Sequence, residues 1–120
     1  MQKFLSSAIL AVMLACPVTA LAQQSKPHAL RKFIIEREIP KVGSLGGGEL
    51  RGAAAKSNDA LAKIGPDIQW VESYVAADKT FCVYLAKDEA TIRKHAEISG
   101  FPASKITEVK RIIDPTTAAE

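Results

Sequence analysis

In "RKFIIEREIP", Phe33, Ile35, Arg37 and Ile39 alternate with Ile34, Glu36 and Glu38. That period of two, rich in β-branched residues and closed by Pro40, predicts a first strand. After the loop "KVGSLGGG", Leu50, Ala54, Ser57, Leu61 and Ile64 recur at steps of three and four, one stripe of a helix that Gly65-Pro66 stops. "DIQWVESYVAADKTFCVYLA" reads as two strands around a tight turn near Asp78-Lys79. Asp88 is placed to cap a second helix, Glu89 to Ser99, which Gly100 ends with Pro102 just beyond. "KITEVKRIID" supplies a last alternating strand before the tail "PTTAAE". The predicted order, β-α-β-β-α-β, is the α+β ferredoxin-like arrangement: one antiparallel sheet with two helices on one face.

The alternation also sorts side chains by face, because strand residues repeat every second position. Phe33, Ile35, Val71, Val75, Phe81, Val83 and Leu85 are expected beneath the helices. Ile34, Glu36, Glu38, Trp70, Glu72, Tyr74, Cys82 and Tyr84 are expected on the other side. A solvated face would not carry a Trp, two Tyr and a Cys, and a fully packed one would not carry three carboxylates. The mixture suggests a sheet face covered by a second subunit, with a polar cavity left between.

The first thirty residues stand apart from this pattern. "MQKFLSSAILAVMLACPVTALAQQ" has a positive head at Lys3, an apolar run from Phe4 to Cys16 and a small-residue exit at Ala20-Leu21-Ala22. This is the layout of a secretory signal peptide cleaved after Ala22, and the run is short for a transmembrane anchor, which needs about 20 apolar residues. A lipoprotein attached at Cys16 is the weaker reading, since Leu14 is bulky where such signals take a small residue. The expected organisation is a signal over 1–22, a disordered lead over 23–31 that holds His28, one domain over 32–114 and a tail over 115–120. The mature chain is expected in the periplasm or outside the cell, without stable membrane insertion.

Cleavage leaves Cys82 as the single cysteine, which cannot form an intrachain disulfide. It also removes Lys3, so 15 basic and 13 acidic residues remain, a net charge of +2. The basic residues interleave with Glu and Asp, and no clustered basic face suits nucleic acid. So small a domain buries only about 60–65% of its unfolded surface, which favours a homodimer.

Together "FIIEREIP", "IQWVESYVAADKTFCVYLA", "IRKHAEISGFP" and "IDPTTA" resemble a small bacterial family long catalogued as a domain of unknown function, whose named member binds nickel. The likeness runs from Lys32 to Ala118. It implies a ferredoxin-like fold, dimers packed sheet to sheet as an α/β barrel, and bound Ni(II) or another divalent transition metal. It implies no reaction. Glu36, Cys82 and His95 occupy the positions that look characteristic and form the candidate metal set, whereas "SLGGGEL" departs from the more acidic start of relatives.

Each candidate has a plainer alternative. Cys82 is a thiolate ligand or a buried structural thiol. His95, at the edge of its helix stripe, is a ligand or a half-buried imidazole bonded to backbone. Glu36 and Glu72 supply oxygen ligands or a general base, or else form ion pairs with Arg37, Lys110 or Arg111. Trp70, Tyr74 and Tyr84, with Glu72, line a cavity or anchor the dimer. Gly46-Gly47-Gly48 lacks any phosphate-loop pattern and reads as a flexible loop. Three functions stay open: a metal binder for sequestration or sensing without turnover, a small dimeric α/β-barrel enzyme with a cavity on the sheet face, and a structural module.

Overall fold

A computed structural model describes residues 29–119. The signal-peptide reading, Cys16 and His28 lie outside the described residues. Strand β1 (Arg31–Glu38) is followed by helix α1 (Gly47–Ile64), strands β2 (Ile68–Val75) and β3 (Lys79–Ala86), helix α2 (Glu89–Ser99) and strand β4 (Lys105–Glu108). All pairings are antiparallel and the strand order is β2-β3-β1-β4. The architecture is α+β and consistent with a ferredoxin-like fold. Among the described residues, no helix is long and apolar enough to cross a membrane.

Both helices cover one face of the sheet. The core joins Phe33 and Ile35 of β1 to Ile68 of β2, Cys82, Tyr84 and Ala86 of β3, and Ile92 of α2. Here the structure corrects the expected faces of β3. Residues directly opposite each other in an antiparallel pair share a face. Phe33 pairs with Tyr84 and Ile35 with Cys82, so Cys82 and Tyr84 lie beneath the helices while Phe81, Val83 and Leu85 face the other way. Both faces of β3 are apolar enough that alternation alone could not choose between them.

Strand β2 is corrected differently. It carries a β-bulge between Trp70 and Glu72, which inserts Val71 as an extra residue and shifts the phase of everything after it. Trp70 therefore lies on the helix side, stacked against Tyr84 with ring centroids 6.4 Å apart. Glu72 and Tyr74 pair with Val83 and Phe81 on the open side, and Val71 is itself half exposed.

The helix termini follow from local chemistry. Asp88 Oδ1 accepts from the Thr91 N–H at 2.8 Å and from its hydroxyl at 2.6 Å, and Gly100 ends α2 in the left-handed region at φ 78°. Asp88→Ala should cost about 1 kcal/mol, read as a lower urea midpoint at neutral pH. Helix α1 begins earlier than its apolar stripe. Gly47 and Gly48 are helical, not loop, because Glu49 Oε2 accepts the Gly46 N–H at 3.0 Å and closes the first turn. Strand β4 is shorter than the alternation of "KITEVKRIID" suggested. It runs out of partner where β1 begins, the last bond being Val109 N–H to Lys32 O at 2.8 Å, and Ile112 and Ile113 are exposed beyond it.

Candidate functional site

Arg37 is in phase with Phe33 and Ile35, so β1 carries a guanidinium into the helix-covered side, where it is 2% exposed. No carboxylate of the described residues pairs with it. The chain that turns away from α2 at Gly100 supplies acceptors instead. Nη1 donates to Pro102 O at 2.8 Å and to Phe101 O at 3.5 Å, and Nη2 donates to His95 Nδ1 at 3.5 Å. The guanidinium also lies over the Tyr84 and Phe101 rings, 5.8 and 5.9 Å from their centroids.

That contact orders a chain of hydrogen bonds. Arginine only donates, so His95 Nδ1 accepts and the imidazole proton sits on Nε2. Nε2 donates to Ser57 Oγ at 3.1 Å, and Ser57 Oγ is 3.0 Å from Tyr84 Oη. Ser57 Oγ has two acceptor lone pairs and one proton, so either hydroxyl can donate in its bond with Tyr84; where Ser57 donates, the phenol O–H is left to donate elsewhere. His95 is completely buried. Burial first, and the Arg37 charge second, lower its pKa to about 4 and keep it neutral at physiological pH. Burial raises the Tyr84 pKa above its usual value.

In front of this chain lies a cavity of about 460 Å³ between α1, the helix side of the sheet and the Gly100–Pro102 turn. Arg37, Ser57, Trp70, Thr80, Cys82 and Tyr84 contribute to its lining, with apolar walls from Val42, Leu45, Leu50 and Phe101. The Cys82 thiol faces Thr80 Oγ1 at 3.3 Å.

The predicted site residues divide between the two faces. Cys82 and His95, expected on opposite sides of the sheet, share the helix side. Glu36 does not join them: it is on the open face, with Lys79 Nζ at 3.5 Å and Lys105 Nζ at 4.0 Å. Trp70 and Tyr84 line the cavity, but that cavity is under the helices and not on the outer sheet face. Glu72 and Tyr74 are outside it, the tyrosine O–H donating to Glu72 Oε1 at 2.6 Å. His95 is deeper than its stripe-edge position suggested, and its partners include the side chains of Arg37 and Ser57.

These placements do not fit one shared metal ion within a chain. Nδ1 of His95 faces a cation, Nε2 carries a proton, and Glu36 is across the sheet. Among the described residues no group of three His, Cys, Asp or Glu side chains converges to hold a metal. Sequence reasoning missed Arg37 and Ser57 as site residues. The available signal was the phase of Arg37, a charge on the side of β1 that Phe33 and Ile35 mark as buried.

A family model described as nickel responsive protein SCO4226-like matches residues 33–109. No curated protein matches the chain. Among solved structures, SCO4226 from Streptomyces coelicolor A3(2) is similar, with a TM-score of 0.56 and 17% sequence identity over 68% of this chain and 99% of that one. At this identity the likeness speaks for the fold.

Proposed function

We propose that this chain, which belongs to the SCO4226-like family of nickel-responsive proteins, is an exported, homodimeric protein that binds a divalent metal, nickel first, without catalytic turnover. The observation that carries the proposal is the family match, which runs from within β1 to the end of β4 and takes in both helices. The open sheet face supports it. Ile34, Phe81, Val83 and Leu85 form an apolar centre there, with Tyr74 58% and Phe81 36% exposed in the single chain. Val83 is already buried in the single chain, and a second copy laid on this face would cover the Tyr74 and Phe81 side chains that are exposed around it.

Glu36 and Glu72 flank the same face from strands two apart, about 10 Å between strand axes, and lie two residues out of step along β3. Packing two faces together brings the carboxylates of both copies to one seam. Nickel is then held by oxygen donors that include Glu36, with Cys82 and His95 serving the interior of the domain. The test is elemental analysis of the mature chain, residues 23–120, after loading with Ni(II), Zn(II) or Cu(II) and dialysis, alongside its mass in solution. Dimeric protein should retain nickel, Glu36→Ala should lose most of it, and Cys82→Ala should keep it. Metal-free protein in every condition would sink the proposal.

A further inference from the structure

We propose that the cavity between α1 and the sheet is a binding site for a small monocarboxylate with an apolar body, its carboxylate held by Arg37 and the Tyr84 hydroxyl. The proposal is independent of nickel, because cavity and open face lie on opposite sides of the sheet.

The charge inventory supplies the first reason. Arg37 lines the cavity at 2% exposure, and no Asp or Glu lines it. A buried cation is retained against its desolvation cost by hydrogen bonds or by a counter-ion. A guanidinium has five N–H donors, and the three bonds to Phe101, Pro102 and His95 leave two, Nε–H among them. Two adjacent N–H donors on a planar group match the two oxygens of a carboxylate.

His95 adds no second positive charge, because it accepts from Arg37 and donates to Ser57. Tyr84 lines the same cavity, and with Ser57 donating to it the phenol O–H is a further donor to the carboxylate. One cation balances one monoanion; a phosphate dianion would leave a net negative charge in an apolar site. The buried guanidinium also repels a metal ion from Cys82. Walls from Val42, Leu45, Leu50, Trp70 and Phe101 take the apolar body, and about 460 Å³ lies within the usual range for small-ligand sites.

Trp70 lines the cavity and is the single tryptophan of the chain, so its fluorescence reports occupancy. Metal-free mature protein is titrated at neutral pH with octanoate, octanol and octylamine. Octanoate should give a saturable change, octanol should bind at least tenfold more weakly, and octylamine should give none. Arg37→Gln should weaken octanoate at least tenfold. Should that variant not fold, Ala54→Leu decides: it fills the cavity from α1, one turn before Ser57, without removing a polar group, and should keep the native circular dichroism while losing octanoate. Octanol binding as tightly as octanoate, unchanged binding by folded Ala54→Leu, or no response to octanoate would each overturn the proposal. Loss of nickel retention would leave these results unmoved.

Discussion

Acidification from pH 6.5 to about 4 should remove about 3 kcal/mol of stability through one residue, His95. In the unfolded chain its imidazole takes up a proton near the ordinary histidine value of about 6.5. In the folded domain it stays neutral down to about 4, because burial and the Arg37 guanidinium both disfavour a second charge. Between those values the unfolded state binds the extra proton, so stability falls with pH. The contribution is complete above 6.5 and lost as pH drops through the folded value. Arg37, Ser57 and Tyr84 are the polar groups facing the ring, and none of them offers a carboxylate to stabilise an imidazolium. Urea midpoints at pH 7, 5.5 and 4.5 should fall steadily in the native chain. His95→Gln should be less stable at pH 7 yet nearly flat across the window, so the two curves converge in acid. Parallel curves would show that His95 is not the titrating group.

Gly43→Ala should destabilise the domain by about 2–3 kcal/mol. Gly43 sits in a short 3-10 turn (Val42–Ser44) after β1, its N–H bonded to Ala77 O at 2.9 Å. A Cβ there would meet Ala76 O at 2.6 Å and Ala77 Cα at 2.9 Å. Both are backbone atoms of the β2–β3 turn, which cannot swing aside as a side-chain tip would. Relief requires the turn or the segment carrying Val42 and Leu45 to move, and those two residues wall the cavity. Gly52→Ala is the informative contrast. Its Cβ would meet nothing within 4 Å in the interior of α1, so it should stabilise by about 1 kcal/mol. Opposite signs in thermal melts of the two variants would separate close backbone approach from helix propensity.

The elements were legible wherever local chemistry decides them. Helix α2 could be read because Asp88 and Gly100 mark its ends, and β1 because a clean alternation reaches Pro40. Helix α1 was legible as a stripe but not at its start, where three glycines mask a turn that Glu49 closes. The faces of β2 and β3 were not legible, for two physical reasons. A strand apolar on both sides takes its orientation from its partner, and β3 takes it from Phe33 and Ile35. A bulge leaves no mark in composition, so Trp70, Glu72 and Tyr74 looked like one row. The site was half legible: Cys82, His95, Trp70 and Tyr84 stood out by residue type, whereas Ser57 looked like one more member of an apolar stripe. Its role depends on Tyr84 and His95, which lie 27 and 38 positions away.

The Val71 bulge gives β2 a grammar of two halves. Before it, even-numbered positions look toward the helices, as Ile68 and Trp70 do; after it, odd-numbered ones do, as Ser73 and Val75 do. Which side chains the strand accepts therefore reverses at a single residue. Removing Val71 would leave both halves in place, because Trp70 and Glu72 would become neighbours opposite Tyr84 and Val83, which are neighbours already. Keeping Val71 but pairing it into the ladder would exchange interior for exterior along one half, exposing the aromatic wall of the cavity or driving Glu72 and Tyr74 into the core.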